Sequence, residues 1–371
     1  MLQVLNVTDE ELIKKTLKLA EKGRGQVSPN PMVGAFFLKD NEIVGQGFHQ
    51  VYGGEHAEII ALNQGGDRVE GSTLYVNLEP CSHSGKQPPC VDRILESGIK
   101  RVVIGTQDPN PLVNGKGIEL LRNSGIDVRV GVLENECRAL NEAYFKHVVT
   151  GLPLTTLKIA QTLDGKIATN AGNSQWITSK QARRYVHKMR SKHDAVLVGI
   201  GTVLSDDPNL TVRLVKGVNP KRVVLDSNLR ISLNARLLSG PLAYKTIIAT
   251  TLNASWEKIK SIEERGATVW VIESNSEGRV DLATLWKKLG QEGIASVLVE
   301  GGSQVFSACL KSKLVDKIAV FIAPKILGDG LSAVQHLEIE SLDHSINLID
   351  FRKEQIGDDV LLSGRLMTRE I

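Results

Sequence analysis

The chain has 371 residues, room for two domains at about 150 residues each. Apolar residues make up 42% and charged residues 23%, ordinary globular values that exclude extended disorder and a coiled coil, and a net charge of +3 gives no bulk attraction to nucleic acid or an anionic membrane. Four cysteines are too few for a disulfide framework, and the opening MLQVLNVTDEELIKK lacks the apolar core of a signal peptide, so free thiols or metal ligands in a cytoplasmic protein without membrane spans are expected.

The first element is a helix. Thr8 can cap it, Glu11 stands three residues on as a capping box requires, and Gly23 ends it. VGAFFL (33–38) and IVGQGFH (43–49) read as strands joined by a turn at Asp40-Asn41. Then come a helix over 55–64, a strand over 72–79, a helix over 88–98 closed by Gly98, a strand over 101–106, a helix over 116–125 and a strand over 126–133. The alternation predicts a largely parallel sheet covered on both faces. A polar helix around Glu134–Lys146 leads to Thr150-Gly151-Leu152-Pro153, where Gly and Pro punctuate the chain, so the domains are expected at 1–149 and 150–371. The second half repeats the α/β alternation. Strands are expected at 154–160, 194–201, 221–226, 245–251, 267–272, 296–302 and 317–324, with a Ser179-capped helix over 179–190.

Three groups in the first half suggest a metal. His56-Ala57-Glu58 begins a helix, Pro80-Cys81 follows a strand, and Cys90 opens another helix after Pro88-Pro89. One imidazole and two thiolates can bind zinc and leave the fourth tetrahedral position for water, as a catalytic site needs. Helix N-termini favour thiolates. Glu58, two residues beyond the histidine, could take a proton from that water and hand it to a leaving amine. This is the H-x-E and P-C pattern of zinc nucleobase deaminases, except that eight residues, SHSGKQPP, separate the cysteines instead of two. Read alone, Cys81 and Cys90 could be unrelated buried thiols.

In the second half no G-x-G-x-x-G occurs; Gly199-Ile200-Gly201 lacks the third glycine, so a standard Rossmann domain is not supported. SVLVEGGSQVFSACL (296–310) places Gly301-Gly302-Ser303 between a strand and an apolar helix, where bare amides could take an anion.

Longer stretches resemble the bifunctional riboflavin-biosynthesis deaminase/reductase family. They are Ser28-Pro29-Asn30-Pro31-Met32-Val33-Gly34, Gly45-Gln46-Gly47-Phe48-His49 followed by His56-Ala57-Glu58, and Glu79-Pro80-Cys81-Ser82-His83-Ser84-Gly85-Lys86-Gln87-Pro88-Pro89-Cys90. The long cysteine spacing is that family's own. KIAQTLDGKIA (158–168), Asn173–Ser179, Gly201–Pro208 and Leu210–Arg213 resemble its reductase half. The resemblance implies an N-terminal cytidine-deaminase-like α/β/α domain and a C-terminal dihydrofolate-reductase-like α/β domain. It implies zinc, one per chain, on His56, Cys81 and Cys90, with Glu58 as the catalytic proton shuttle. Asn30, His49, His83 and Lys86 match positions lining the pyrimidine and phosphate site. Ala160, Trp176, Thr202, Asp206, Ser227, Gly302, Ser303 and Gln304 would hold NADPH. Ser174, Arg190, Leu210, Arg213 and Glu300 would contact the sugar-phosphate substrate, for which Arg190 and Arg213 offer planar cationic forks. The implied activity is hydrolytic deamination of 2,5-diamino-6-ribosylamino-4(3H)-pyrimidinone 5′-phosphate followed by NADPH-dependent reduction of the ribosyl chain. The expected partner is that small phosphorylated pyrimidine, with no nucleic acid or membrane, in a homo-oligomer. A nucleoside or tRNA base deaminase fused to a folate-type reductase is the alternative, disfavoured by only 4% aromatic residues. A purely structural zinc module would need a fourth protein ligand, for which His83 is the nearby candidate. Cys137 and Cys309, and His147, His187, His193, His336 and His344, read as packing or surface residues.

Overall fold

A computed structural model describes residues 7–83 and 88–367, and the chain divides into two compact units, Met1–Leu152 and Pro153–Ile371.

In the first unit, Thr8 caps α1 (Asp9–Ala20): its hydroxyl accepts from the Glu11 amide while the Glu11 carboxylate accepts from the Thr8 amide. The hairpin β1 (Gly34–Lys39) and β2 (Glu42–Phe48) turns at Asp40-Asn41, both with positive φ. Next come α2 (Ala57–Gly65), β3 (Thr73–Leu78), α3 (Cys90–Glu96), β4 (Arg101–Thr106), α4 (Lys116–Asn123), β5 (Asp127–Val130), α5 (Glu134–Leu140) and α6 (Glu142–Thr150). The strand order is β2-β1-β3-β4-β5. Both pairs made by β1 are antiparallel and the β3–β4 and β4–β5 pairs are parallel, so this sheet is mixed where a largely parallel one was expected. Alternate residues pack on opposite faces. Phe37, Leu74, Val76, Val102 and Ile104 bury against α2, α3 and α4, while Phe36, Tyr75 and Val103 bury against α1 and α5.

Two local expectations need correction. The strand expected to reach residue 133 ends at Val130. The single helix expected over 134–146 is broken at Asn141, whose amide is recruited elsewhere. Its Oδ1 accepts from the Met32 N–H at 2.8 Å and its Nδ2 donates to the Met32 carbonyl at 2.9 Å.

The second unit contains β6 (Leu154–Thr162), β7 (Lys166–Ala168), α7 (Lys180–Arg190), β8 (Ala195–Gly199), α8 (Ile200–Asp206), β9 (Lys221–Leu225), β10 (Thr246–Thr250), α9 (Trp256–Glu263), β11 (Thr268–Val271), α10 (Leu282–Gln291), β12 (Ser296–Gly301), α11 (Ser303–Lys311), β13 (Lys317–Ala323), β14 (Leu331–Ser332), β15 (Leu348–Ile356) and β16 (Asp359–Leu366). Nine strands run in the order β11-β10-β9-β8-β12-β6-β13-β16-β15, parallel from β11 to β13 and antiparallel beyond. Central strands such as β8 and β10 are buried along their length, as strands covered on both faces must be. Sequence reading missed the β15–β16 hairpin. β15 is an edge strand, exposed along Ile349–Gln355 and rich in charge, so it shows no apolar alternation.

Candidate active sites

The first site forms where two helices start beside the end of a strand. His56 is the N-cap of α2, Cys90 is the first residue of α3, and Cys81 follows β3 by three residues. Their donor atoms all lie within 4.8 Å of one another. His56 Nδ1 is 3.1 Å from Cys90 Sγ and 3.4 Å from Cys81 Sγ. The Cys90 thiol, along with its amide at 3.3 Å, donates to Cys81 Sγ and holds the Cys81 thiol well below its usual range, while the same bond and burial push Cys90 well up. Two soft donors and one imidazole, gathered in one place, are a donor set that fits zinc with one position open. Glu58 lies on the first turn of α2, buried, and burial pushes its carboxyl up to about 7 against the pull of His56. The G-Q-G stretch explains why these groups meet. A Cβ on Gly47 would sit 2.5 Å from the Ala57 carbonyl, so only glycine lets β2 lie this close to α2.

Asn30 and His49 come together beside the metal donors. The His49 ring packs edge-on to His56 with centroids 5.6 Å apart. Its Nδ1 lies 2.9 Å from the Glu55 carbonyl, which can only accept. The proton therefore sits on Nδ1, and Nε2 accepts from Asn30 Nδ2 at 3.2 Å. Burial lowers the His49 pKa and keeps this neutral form. His83 has its Nδ1 buried with no partner among the described residues. Lys86 lies outside the described residues.

Sequence reasoning assigned no role to the groups that brace this site. Glu79 is buried, and its carboxylate accepts from four backbone amides, Asp108, Gly115, Gly117 and Ile118, at 3.0–3.3 Å. Burial pushes Asp108 up to about 6, and the Tyr144 hydroxyl donates to its carboxylate. Glu79 was visible within the E-P-C stretch; Asp108 and Tyr144 carry no signal in the sequence.

In the second unit a cleft of about 1750 Å³ is lined by every residue expected there, from Ala160 and Ser174 to Glu300 and Gln304. Ser303 Oγ is buried without a partner among the described residues, and Gly302 caps α11 without a side-chain bond. An orphaned hydroxyl and bare amides at a helix start fit a dinucleotide phosphate. Trp176 is 62% exposed, which excludes a core role; the Arg183 guanidinium lies 4.3 Å from its ring centroid, and Lys325 Nζ donates to its carbonyl. Asp206 accepts from Ser205 and Ser174, and Ser227 Oγ accepts from the Val280 amide. The Leu210 side chain is buried in the sheet's core, so its backbone is what it offers a ligand.

The charges of this cleft differ from the expected pair of free forks. Two Arg190 nitrogens, Nε and Nη2, close on the Glu300 carboxylate at 2.6 and 2.7 Å, and the third, Nη1, donates to the Thr211 carbonyl. Burial opposes the charge on Glu300, and Arg190 outweighs it, holding the carboxyl below its usual range. Lys158, unassigned by the sequence reading, is buried beside this pair, and burial lowers its pKa while Glu300 pulls it up. Arg213 bonds only Thr211 Oγ1 through its guanidinium among the described residues, and no carboxylate neutralises it. His187, expected to be a packing or surface residue, is buried, and its Nδ1 also accepts the Arg213 amide at 2.9 Å. His193 is a satisfied packing residue, bonded at both ring nitrogens.

The profile of the RibD C-terminal domain matches residues 153–362, and that of the cytidine and deoxycytidylate deaminase zinc-binding region matches residues 6–106. The riboflavin biosynthesis protein RibD of Aquifex aeolicus (strain VF5) is 46% identical over 355 residues, 95% of this chain and 97% of its own. The structure of Acinetobacter baumannii RibD, form 1, superposes with a TM-score of 0.87 at 34% identity, covering 97% of this chain and 99% of that one. A diaminohydroxyphosphoribosylaminopyrimidine deaminase/5-amino-6-(5-phosphoribosylamino)uracil reductase from Thermotoga maritima superposes with a TM-score of 0.82 at 39% identity, with the same coverage.

Proposed function

Because this chain belongs to the RibD family of riboflavin-biosynthesis proteins, we infer that its two domains act in succession on one phosphorylated pyrimidine. It is a bifunctional enzyme, a zinc-dependent pyrimidine deaminase and an NADPH-dependent reductase. The first step hydrolyses the 2-amino group of 2,5-diamino-6-ribosylamino-4(3H)-pyrimidinone 5′-phosphate. The second reduces the ribosyl chain to give 5-amino-6-ribitylamino-uracil 5′-phosphate.

We assign the deaminase to residues 1–149 and the reductase to 150–371. When bound, zinc supplies the Lewis acidity that makes water a nucleophile at neutral pH, and NADPH supplies the hydride. His56, Cys81 and Cys90 hold the metal. Glu58, with a carboxyl near 7, is poised to take a proton and release it within one cycle, from the attacking water to the departing ammonia. Asn30 spends its amide N–H on His49, which leaves its Oδ1 to accept from a pyrimidine N–H. His83, with an orphaned ring nitrogen, and Lys86 complete the pyrimidine and phosphate contacts.

In the reductase, Gly302, Ser303 and Gln304 present amides and a hydroxyl to the cofactor phosphates, and Thr202, Asp206, Ser227, Ala160 and Trp176 line the same cleft. Arg213 takes the substrate phosphate, since its charge is unopposed. Arg190 fixes Glu300 at the sugar, and Ser174 and the Leu210 backbone line the same cleft. The reading is of a cytoplasmic homo-oligomer acting on a free nucleotide-like substrate and not on nucleic acid. No helix among the described residues is long and apolar enough to cross a membrane.

The observation that carries the deaminase reading is the convergence of three metal donors within 4.8 Å beside the buried Glu58. Purified protein should contain one zinc per chain, release ammonia from the diaminopyrimidine, and then oxidise NADPH. Zinc-loaded protein that releases no ammonia overturns the reading.

A further inference from the structure

Residues 207–213, which carry Leu210 and Arg213, have no regular secondary structure. Such a segment has no strand or helix bonding to fix it, yet a site for a phosphate must be fixed before the ligand arrives. Side chains from elsewhere do the fixing. Arg190 Nη1 donates to the Thr211 carbonyl at 3.1 Å, Asn219 Oδ1 accepts the Val212 amide at 2.7 Å, and His187 Nδ1 accepts the Arg213 amide at 2.9 Å. His187 and Arg190 are three residues apart on α7, hence on one face of the helix, and they grip the segment at a carbonyl and an amide two residues apart.

We propose that His187 is a positioning residue for the reductase: its neutral ring holds the Arg213 backbone so that the guanidinium meets the substrate's 5′-phosphate. The proposal rests on the reading of Arg213 as the phosphate contact. To accept from an amide, Nδ1 must be unprotonated, and the surroundings enforce that. Burial, together with Arg190 and Arg213, lowers the His187 pKa to about 4. A cationic ring would lose the acceptor and repel the arginine it serves. Arg213 can afford no acidic anchor, because a carboxylate at this place would neutralise the charge meant for the phosphate; a neutral acceptor orients the backbone and leaves the charge free.

The test uses the full-length enzyme and 5-amino-6-(5-phosphoribosylamino)uracil, alongside its counterpart lacking the 5′-phosphate. His187→Phe keeps the ring's bulk and removes the acceptor; His187→Asn keeps an acceptor close to the same place. The Phe variant should raise KM for the phosphorylated substrate about tenfold, with kcat and NADPH affinity close to wild type. The Asn variant should recover most of that loss. Without the phosphate, Phe variant and wild type should share one KM, and Arg213→Ala should add little to the Phe variant. If the Phe variant does not fold, His187→Leu carries the same comparison. An unchanged KM, an equal loss on both substrates, or a folded Asn variant no better than Phe overturns the proposal. Arg213→Ala with an unchanged KM overturns the underlying phosphate assignment instead, and the His187 role falls with it.

Discussion

Replacing Arg190 with methionine should destabilise the reductase domain strongly. The ion pair is bidentate at 2.6 and 2.7 Å, and the Arg190 and Glu300 side chains are only 12% and 7% exposed. Methionine fills most of the volume, so the loss is chiefly electrostatic: Glu300 stays buried with Lys158 as its remaining cation. Removing one partner of a buried pair costs about 3–5 kcal/mol. At about 2–4 °C per kcal/mol for a domain of 150–250 residues, Tm should fall by about 6–20 °C. The assay needs no isolated domain. All four tryptophans, Trp176, Trp256, Trp270 and Trp286, lie in the second unit, so selectively excited tryptophan fluorescence follows that domain. Trp286 is fully buried and donates to Thr155 Oγ1 at 2.7 Å, which makes it a sensitive reporter. The double variant Arg190→Met/Glu300→Gln should be the more stable of the two, because no carboxylate is stranded and Lys158, already biased toward its neutral form, can shed its proton. A single variant within about 2 °C of wild type, or a double variant no better than the single, refutes the reasoning.

Glu58→Gln should retain zinc and lower ammonia release by about 10²–10⁴-fold or more, since an amide cannot relay a proton; metal analysis with an ammonia assay decides it. Cys81→Ser should lose zinc and deamination while NADPH oxidation on pre-deaminated substrate continues, and a parallel loss of reduction would contradict two separate sites. Stability of the reductase domain should depend on pH through His187. Its ring stays neutral when folded, down to about 4, but takes a proton near 6.5 when unfolded. The stabilisation is complete above pH ~6.5 and is lost as pH falls toward 4, because the unfolded chain then binds the extra proton. His187→Asn should flatten that stretch of the tryptophan-monitored Tm profile; an unchanged slope would place the proton elsewhere.

Much of the candidate deaminase site was legible because its chemistry restricts residue types. His and Cys are the soft donors zinc favours, a carboxylate two residues from the histidine can reach a bound water, and only glycine permits the approach of β2 to α2 at Gly47. The bracing was not legible. Glu79, Asn141 and His187 bind main-chain atoms distant in sequence, and an amide or carbonyl is present at nearly every position, so no residue pattern marks the partner. Arg190 was expected in the cleft and lines it, but the sequence could not show its fork already committed to Glu300, 110 positions away. The β15–β16 hairpin escaped because an exposed edge strand has no buried face to impose a period.

The clamp made by Glu79 separates two properties that could have been inherited together. Glu79 bolts the Pro80-Cys81 end to the start of α4, while Cys90 is seated by its own helix and by its amide bond to Cys81. Each sulfur is thus secured from outside the eight-residue bridge that joins them. Holding the sulfurs is thus one task, done at the end of β3 and the starts of α3 and α4, and joining them along the chain is another.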